Sequence, residues 1–434
     1  MRVLFYNPAP TPRRCTPFEA LRGNPMFRRP NYDAMRLSYL CRNQDFVYVD
    51  EQIDAPSDIV PDIAVINVPL NLARYVENMI ATKWDKETVT VCCGEYPTVF
   101  PDHAREFCTS TVVGDIAAVW HKILSDFRHK RLAAVYTGDR VKHFRTDRSF
   151  EMRFGFNPFF SQLRTSYGCQ CKSQQRDYCF ESILYKNPAR WKIDRAAESI
   201  AGMKRKAVFV LDDDFLSDLD YAMRLLDRCW RYKRNWIFQT TSDICKNPGL
   251  LPQFRDHGVR VVYLKEDWLG NNLPRDLDSK SYVKEKSHQI GMFHNCRITV
   301  GCKIRLGYEG EDERFYQRLL KFLINMRVDI IELAVQTPLP GTRTHEDYLA
   351  KGRIQPDFSH YDLWVPVVDT PGLSSPALYK TMEWLRDRFY SWDSIMLRNI
   401  IVSPKLGFYN TVFFYVLPNL SYRSNFLEKV GYPP

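Results

Sequence analysis

The sequence predicts an α/β fold: an N-terminal doubly wound parallel sheet, a partial (β/α)6 barrel, and a helical, aromatic C-terminal extension. Three observations lead there. Short β-rich apolar runs alternate with helical patterns through the first 130 residues, a second alternating series begins near residue 161, and the tail has long helical and aromatic stretches. Strands that alternate with helices favour parallel pairing, because each crossover needs a helix's length of chain to return to the same end of the sheet.

In the first series, "RVLFY" (2–6), "FVYVD" (46–50), "IAVINV" (63–68), "VTVCC" (89–93) and "STVVG" (110–114) read as buried strands. Each is short, rich in β-branched and aromatic residues, and bounded by turn residues. The stretches 71–84 and 116–127 carry apolar residues at helical spacing. This Rossmann-like domain is expected to span 1–130, and the polar, aromatic stretch 131–160 reads as a linker. The second series, 161–345, has strands expected at 162–166, 207–213, 236–241, 259–264, 296–304 and 328–335. Helices are expected near 190–204, 218–233, 248–257, 280–292 and 311–326. In the extension, 346–434, Pro376 suits a helix start, and Leu378, Met382, Leu385 and Phe389 keep helical spacing. The apolar, aromatic remainder reads as helices packed on the barrel, with a surface lying on a membrane as the alternative.

Composition narrows the function classes. The chain has 434 residues, 45% hydrophobic and 26% charged, enough for two or three globular domains. The net charge of +10 is spread along the chain without the like-charge run of a nucleic-acid tail. It reads as solubility plus a few anion-binding arginines, with a basic face for phosphate head groups as the alternative. The apolar run before Pro8 is too short for a secretory signal, so a cytoplasmic location and reduced thiols are expected for the 12 cysteines. No stretch of 18 apolar residues occurs, and "TVFFYVLPNL" (411–420) is broken by Pro418 and Asn419.

The stretch "SYGCQCKSQQRDYCFES" (166–182) places Cys169, Cys171 and Cys179 within eleven residues. Ligands of parallel α/β folds gather at the C-terminal ends of the strands. That rule places this loop on the functional face, together with Asp212, Asp213 and Asp214, with Gln239 to Asp243, with Glu266 and Asp267, and with "QTPLPGT" (336–342). Three neighbouring thiols can hold an iron–sulfur cluster, hold another metal such as zinc, or be the remains of a lost site. Cys92 and Cys93 are adjacent on a strand and point to opposite faces, so they do not chelate one metal. Cys229, Cys245, Cys296 and Cys302 read as core thiols. The acids of "GYEGEDE" (307–313) suit the N-terminus of the helix that follows.

The order of motifs resembles the radical S-adenosylmethionine enzymes that carry an N-terminal cobalamin-binding-type domain. "CGEYPTVFPDHA" (93–104) is similar to the Gly-Gly-x-x-Pro-Thr turn of that domain, and "VVGDIAAVW" (112–120) to its Val-x-Gly-Glu-x-Glu-x-x-Trp segment. "RTSYGC" (164–169) resembles the lead-in to the cluster loop, and "FVLDDDF" (209–215) the second-strand Phe-x-Asp-Asp-Asn-Phe. "QTPLPGT", "GRIQPDFSHYD" (352–362) and "FYSWDSIMLRN" (389–399) resemble a branch that includes hopanoid methylases and other lipid- or isoprenoid-modifying members.

The resemblance implies a [4Fe–4S] cluster on Cys169, Cys171 and Cys179. It implies S-adenosylmethionine near Asp213, Gln239, Glu266 and Asp267, and cobalamin near Gly94, Pro97 and Thr98. The implied chemistry is a 5′-deoxyadenosyl radical that acts on an apolar, lipid-like substrate, with a ferredoxin or flavodoxin as reductant. Nucleic acid is not an expected partner. The chain departs from the family pattern at several points. The family spaces its cysteines Cys-x-x-x-Cys-x-x-Cys; here the spacing is Cys-x-Cys and then seven residues, and aligning Cys169 with the first family position puts Ser182 at the third. Lys265-Glu266-Asp267-Trp268 stands where the family has Gly-Phe-Glu-Ser. No Asp-x-His-x-x-Gly cobalt-ligand motif occurs, and His103 is the one histidine before residue 121. The alternative is therefore a descendant that has lost the cluster and serves as a ligand-binding or partner subunit.

Overall fold

The computed structural model describes residues 1–9, 28–54, 59–84, 87–139, 145–168, 179–185, 188–265, 268–269, 277–354, 357–370 and 372–425. Six strands form the first sheet: β1 (Arg2–Asn7), β2 (Asp45–Asp50), β3 (Ile63–Asn67), β4 (Val89–Cys93), β5 (Ser110–Gly114) and β6 (Val135–Gly138). All pair in parallel, in the order β2-β1-β3-β4-β5-β6. Alternate residues face opposite sides, as the pleat requires. Val3 and Phe5 pack toward the helices Tyr32–Leu40 and Ile116–Arg128, whereas Leu4 and Tyr6 pack toward Ala73–Lys83. Cys93 and Cys92 divide between the same two cores. β6 comes from the stretch expected to be a linker, so the first sheet runs past the boundary expected near 130.

The second sheet is a half-barrel. After β7 (Phe160–Leu163) come two short strands, β8 (Ser166–Tyr167) and β9 (Ala189–Arg190), which pair antiparallel beside the cysteine loop. Then follow β10 (Ala207–Val210), β11 (Asn235–Thr240), β12 (Val259–Leu264), β13 (Thr299–Leu306) and β14 (Ile330–Val335). The parallel order is β14-β13-β12-β11-β10-β7. Val208, Val210, Val262 and Leu264 face the surrounding helices, whereas Ala207, Phe209, Val261 and Tyr263 line the concave side. The expected helices are present at Ile193–Ala201, Leu219–Cys229, Leu250–Asp256, Lys280–Asn295 and Glu313–Asn325. Asp312 caps the last of these, accepting from the Phe315 N–H at 2.7 Å. Cys229, Cys245 and Cys302 are core thiols, and Cys296 is half-buried.

The helix Tyr32–Leu40 locks the two halves together. Ala34 and Leu37 enter the core of the first domain, while Tyr32 and Met35 enter that of the barrel. Gln162 Nε2 of β7 donates to the Pro30 carbonyl just before it, at 2.9 Å. In the tail, Leu378, Met382, Leu385 and Phe389 of helix Ser375–Phe389 are all buried against the barrel. No helix of the described residues is long and apolar enough to cross a membrane.

Candidate functional site

The C-terminal ends of the barrel strands carry a compact set of charges. Asp212, Asp213 and Asp214 are consecutive, yet each has a separate task. Asp212 is buried and fastens the root of the cysteine loop to the end of β10. Its Oδ1 accepts from the Thr165 and Ser166 N–H groups at 2.6 and 3.0 Å, and its Oδ2 from the Thr165 hydroxyl. Asp213 Oδ2 receives Lys265 Nζ at 2.8 Å. Asp214 caps the turn Phe215–Ser217 and accepts from Thr240 Oγ1 at 2.9 Å. Burial pushes the Asp212 and Asp214 carboxyls up despite these hydrogen bonds. Gln239 Nε2 donates to the Asp212 carbonyl at 3.1 Å.

The cysteine loop leaves and re-enters through the β8–β9 pair. Gly168 begins it at φ 74°, where a Cβ would stand 3.0 Å from the Tyr185 carbonyl oxygen. A side chain there would meet both steric and backbone strain. Cys179 is the cysteine of the expected triad within the described residues; Cys169 and Cys171 lie outside them, as do Glu266 and Asp267. Cys179 is half-buried, and the Ser182 hydroxyl donates to its carbonyl at 2.7 Å. Ser182 is thus engaged in the turn that starts helix Glu181–Leu184. Burial pushes the Cys179 thiol up, Asp213 and Glu181 push the same way, and the Lys265 ammonium opposes them. The net direction is upward, so without a metal these surroundings favour the neutral thiol; Cys179 is a soft sulfur donor of the type a cluster takes, and Lys265 offsets part of the cost of negative charge there.

Below this set, the C-terminal edge of the first sheet faces the barrel across a polar cleft of about 240 Å³. Asn67, Gly94, Glu95, Thr98 and Gly114 form one wall, and Arg164, Glu181 and Tyr185 the other. Gly94 has φ 107°, and a Cβ there would stand 2.5 Å from Asn67 Oδ1, so its nearest constraint comes from within its own domain. Thr98 joins two strand ends, donating to the Gly94 carbonyl at 2.6 Å and accepting from the Gly114 N–H at 3.1 Å. Pro97 is buried inside helix Glu95–Val99. Glu95 accepts from the Leu70 N–H at 3.2 Å, and burial raises its carboxyl. Arg164 stacks on Tyr167 and Tyr185 with its guanidinium 4.2 and 5.2 Å from the ring centres, and approaches Glu181 at 3.4 Å. His103 shares a hydrogen bond with the Tyr96 hydroxyl at 2.9 Å and is not among the lining residues. This acceptor-rich wall suits the amide donors on the rim of a corrin. Helices Glu95–Val99 and Glu181–Leu184 lie beside each other across the cleft.

The fold has counterparts among solved proteins. Over 82% of this chain and 77% of its own, the radical S-adenosylmethionine methyltransferase TsrM from Kitasatospora setae, solved with tryptophan and an S-adenosylmethionine analogue, superposes with a TM-score of 0.57 at 11% identity. The chain has the fold of the cobalamin-dependent radical S-adenosylmethionine enzymes. A second structure of TsrM, with cobalamin and a [4Fe–4S] cluster, matches 89% of the chain at a TM-score of 0.55 and 12% identity, over 81% of its own length. OxsB, a cobalamin-dependent S-adenosylmethionine radical enzyme solved with aqua-cobalamin, matches 89% of the chain and 61% of its own at a TM-score of 0.52 and 12% identity. No family model matches the chain. By sequence, it is 22% identical to the bacteriochlorophyllide d C-12(1)-methyltransferase of Chlorobaculum tepidum over 321 residues, 70% of this chain and 69% of that protein.

Some residues of this site escaped the sequence reading. Asn67, Glu95, Arg164 and Glu181 converge from two domains; Glu95, Arg164 and Glu181 fall inside stretches already quoted for their motifs, but nothing in those motifs singles the three out as site residues. Their one shared signal is position: each lies at or just beyond a strand's C-terminal end or in the cysteine loop.

Proposed function

We propose that the chain is a radical S-adenosylmethionine enzyme that functionalises carbon, in the simplest case by methylation, on an apolar, lipid- or isoprenoid-like substrate. The observation that carries this reading is Cys179 set beside Lys265 and Asp213 at the mouth of a half-barrel of this fold. Cys169 and Cys171 complete the thiolate set. Asp213, Gln239, Glu266 and Asp267 border S-adenosylmethionine; Gly94 and Thr98, with Asn67 and Glu95, border cobalamin, and Pro97, buried in the helix behind them, shapes that turn. When bound, these cofactors supply reductive cleavage of a carbon–sulfur bond and a methyl carrier. The chain's own contribution is placement: Asp212 fixes the loop root, Lys265 favours the thiolate at Cys179, and Arg164 with Tyr185 covers the cleft. A low-potential ferredoxin or flavodoxin is the expected electron donor.

A second reading, a descendant without the cluster, is favoured by one observation. Asp213 and Gln239 are already satisfied within the protein, by Lys265 and by the Asp212 carbonyl. Anaerobic purification with iron and sulfide analysis separates the two. The enzyme reading expects about four irons and four sulfides per chain, lost in Cys179→Ala, and 5′-deoxyadenosine on reduction with S-adenosylmethionine. Iron-free but folded protein would sink it, and so would a loaded cluster that yields no 5′-deoxyadenosine.

Peripheral membrane contact is part of the proposal. Helix Trp392–Leu406 exposes Trp392, Met396, Leu397 and Ile400, and Phe408 follows, also exposed. Such an apolar row with nearby cations suits an interfacial helix. The protein is expected to float with anionic phospholipid vesicles, and Trp392→Asp with Ile400→Asp to abolish flotation. Equal flotation of both proteins would remove membrane contact from the reading.

A further inference from the structure

A second cavity, of about 290 Å³, lies at the opposite end of the same strands from Cys179. Phe160, Ala207, Ile237 and Ile330, each at or near the start of its strand, form the concave wall, and Phe414 and Leu417 of the tail close it. Phe159, Tyr409 and Phe413 are exposed and border the same cavity. A chamber so lined accepts an apolar body.

Charged groups also line it, and one of them is set apart by its lack of a partner among the described residues. The Arg29 guanidinium lines it, 4.8 Å over the Phe209 ring, and makes no hydrogen bond or ion pair among the described residues. The nearest acid in the wall is Glu332, which is already engaged. It accepts from the Tyr422 hydroxyl at 2.6 Å and faces Lys303 Nζ at 3.5 Å. Lys206 also lines the cavity, so its charge is net positive. Burial pulls the Arg29 pKa down, with Glu332 opposing, in keeping with a desolvated cation. A guanidinium offers a planar fork of donors, and a carboxylate is the anion that matches it with two parallel hydrogen bonds.

We infer that this cavity binds a monocarboxylic acid with an apolar body, its carboxylate on Arg29 and its body against the aromatic and aliphatic wall. The site is independent of the function proposed above, since it uses none of the residues at the cysteine end.

Calorimetric titration of the full chain with octanoate and with octanol tests it. Octanoate is expected to bind once per chain and roughly tenfold or more tightly than octanol, the worth of one charged hydrogen-bonded contact. Arg29→Leu is expected to bring octanoate down to the affinity of octanol. Ile237→Trp, which fills the chamber, is expected to remove both. Equal affinity of the two ligands for the native protein would overturn the inference. So would the absence of saturable binding, or binding that survives Ile237→Trp. The acid-against-alcohol comparison uses native protein, so a variant that fails to fold leaves the test intact.

Discussion

Arg398→Ala is expected to destabilise the protein by about 3–5 kcal/mol. Arg398 is buried, and its guanidinium donates to the carbonyls of Val328 (3.0 Å), Asp329 (2.7 Å) and Phe389 (2.9 Å) and to Asn419 Oδ1 (3.1 Å). It also lies 3.8 Å from the centre of the Phe389 ring. One side chain thus pins the helices Ser375–Phe389, Trp392–Leu406 and Leu417–Asn425 to the residues that lead into β14. Truncation leaves several acceptors without donors in a site water does not reach, and opens a void. Arg398→Lys keeps the charge but cannot reproduce the fork, so an intermediate loss is expected. The check is the denaturant midpoint at constant slope. A loss below about 1 kcal/mol for the alanine variant would show that the tail is held by apolar packing alone.

Arg36→Met is expected to cost a similar amount, about 3–5 kcal/mol at neutral pH, with a distinct pH signature. Arg36 and Asp115 form a bidentate pair at 2.7 and 2.8 Å, with side chains 0% and 2% exposed, and Arg36 also reaches Asp33 at 2.8 Å. Asp115 further caps helix Ile116–Arg128 through the Ala117 N–H at 3.1 Å. Burial already raises the Asp115 carboxyl, and Arg36 is the chief force against that rise. Without Arg36, the folded state holds a proton on Asp115 at a pH where the unfolded chain does not. The variant's stability then falls as pH rises through the raised value, so its deficit narrows on acidification. Denaturation series at acidic and neutral pH test this. A deficit that stays constant, or grows as pH falls, would mean that Asp115 is not the group left uncompensated.

Much of the architecture was legible because the strands are buried on both faces. β1 and β3 are built on unbroken apolar runs and β4 departs from one only at Thr90, and their positions agree with expectation to within a residue or so. β6, by contrast, has exposed and half-exposed positions in a short run, so its sequence carries little signal. The helix Tyr32–Leu40 was missed for the opposite reason. It is buried on more than one side and carries a buried arginine, so it shows no apolar stripe. The acid triplet was legible as a strand end, but the tasks of Asp212, Asp213 and Asp214 were not, because each depends on a partner distant in sequence. The cleft between the domains was illegible for the same reason, and Arg29 sits one strand length away from the end where strand-end rules look.

The helix Tyr32–Leu40 also decides where this chain can be cut and recombined. It is encoded in the first half, yet it fills part of the second half's interior with Tyr32 and Met35. A graft that exchanged residues 1–130 for those of a relative would carry a foreign wedge into the barrel. A barrel expressed from residue 131 onward would have a hole where that wedge belongs. The natural unit of exchange therefore pairs this helix with the barrel that receives it, although more than a hundred residues of chain separate it from most of that barrel. Inheritance of the two halves is coupled by packing, whatever chemistry each performs.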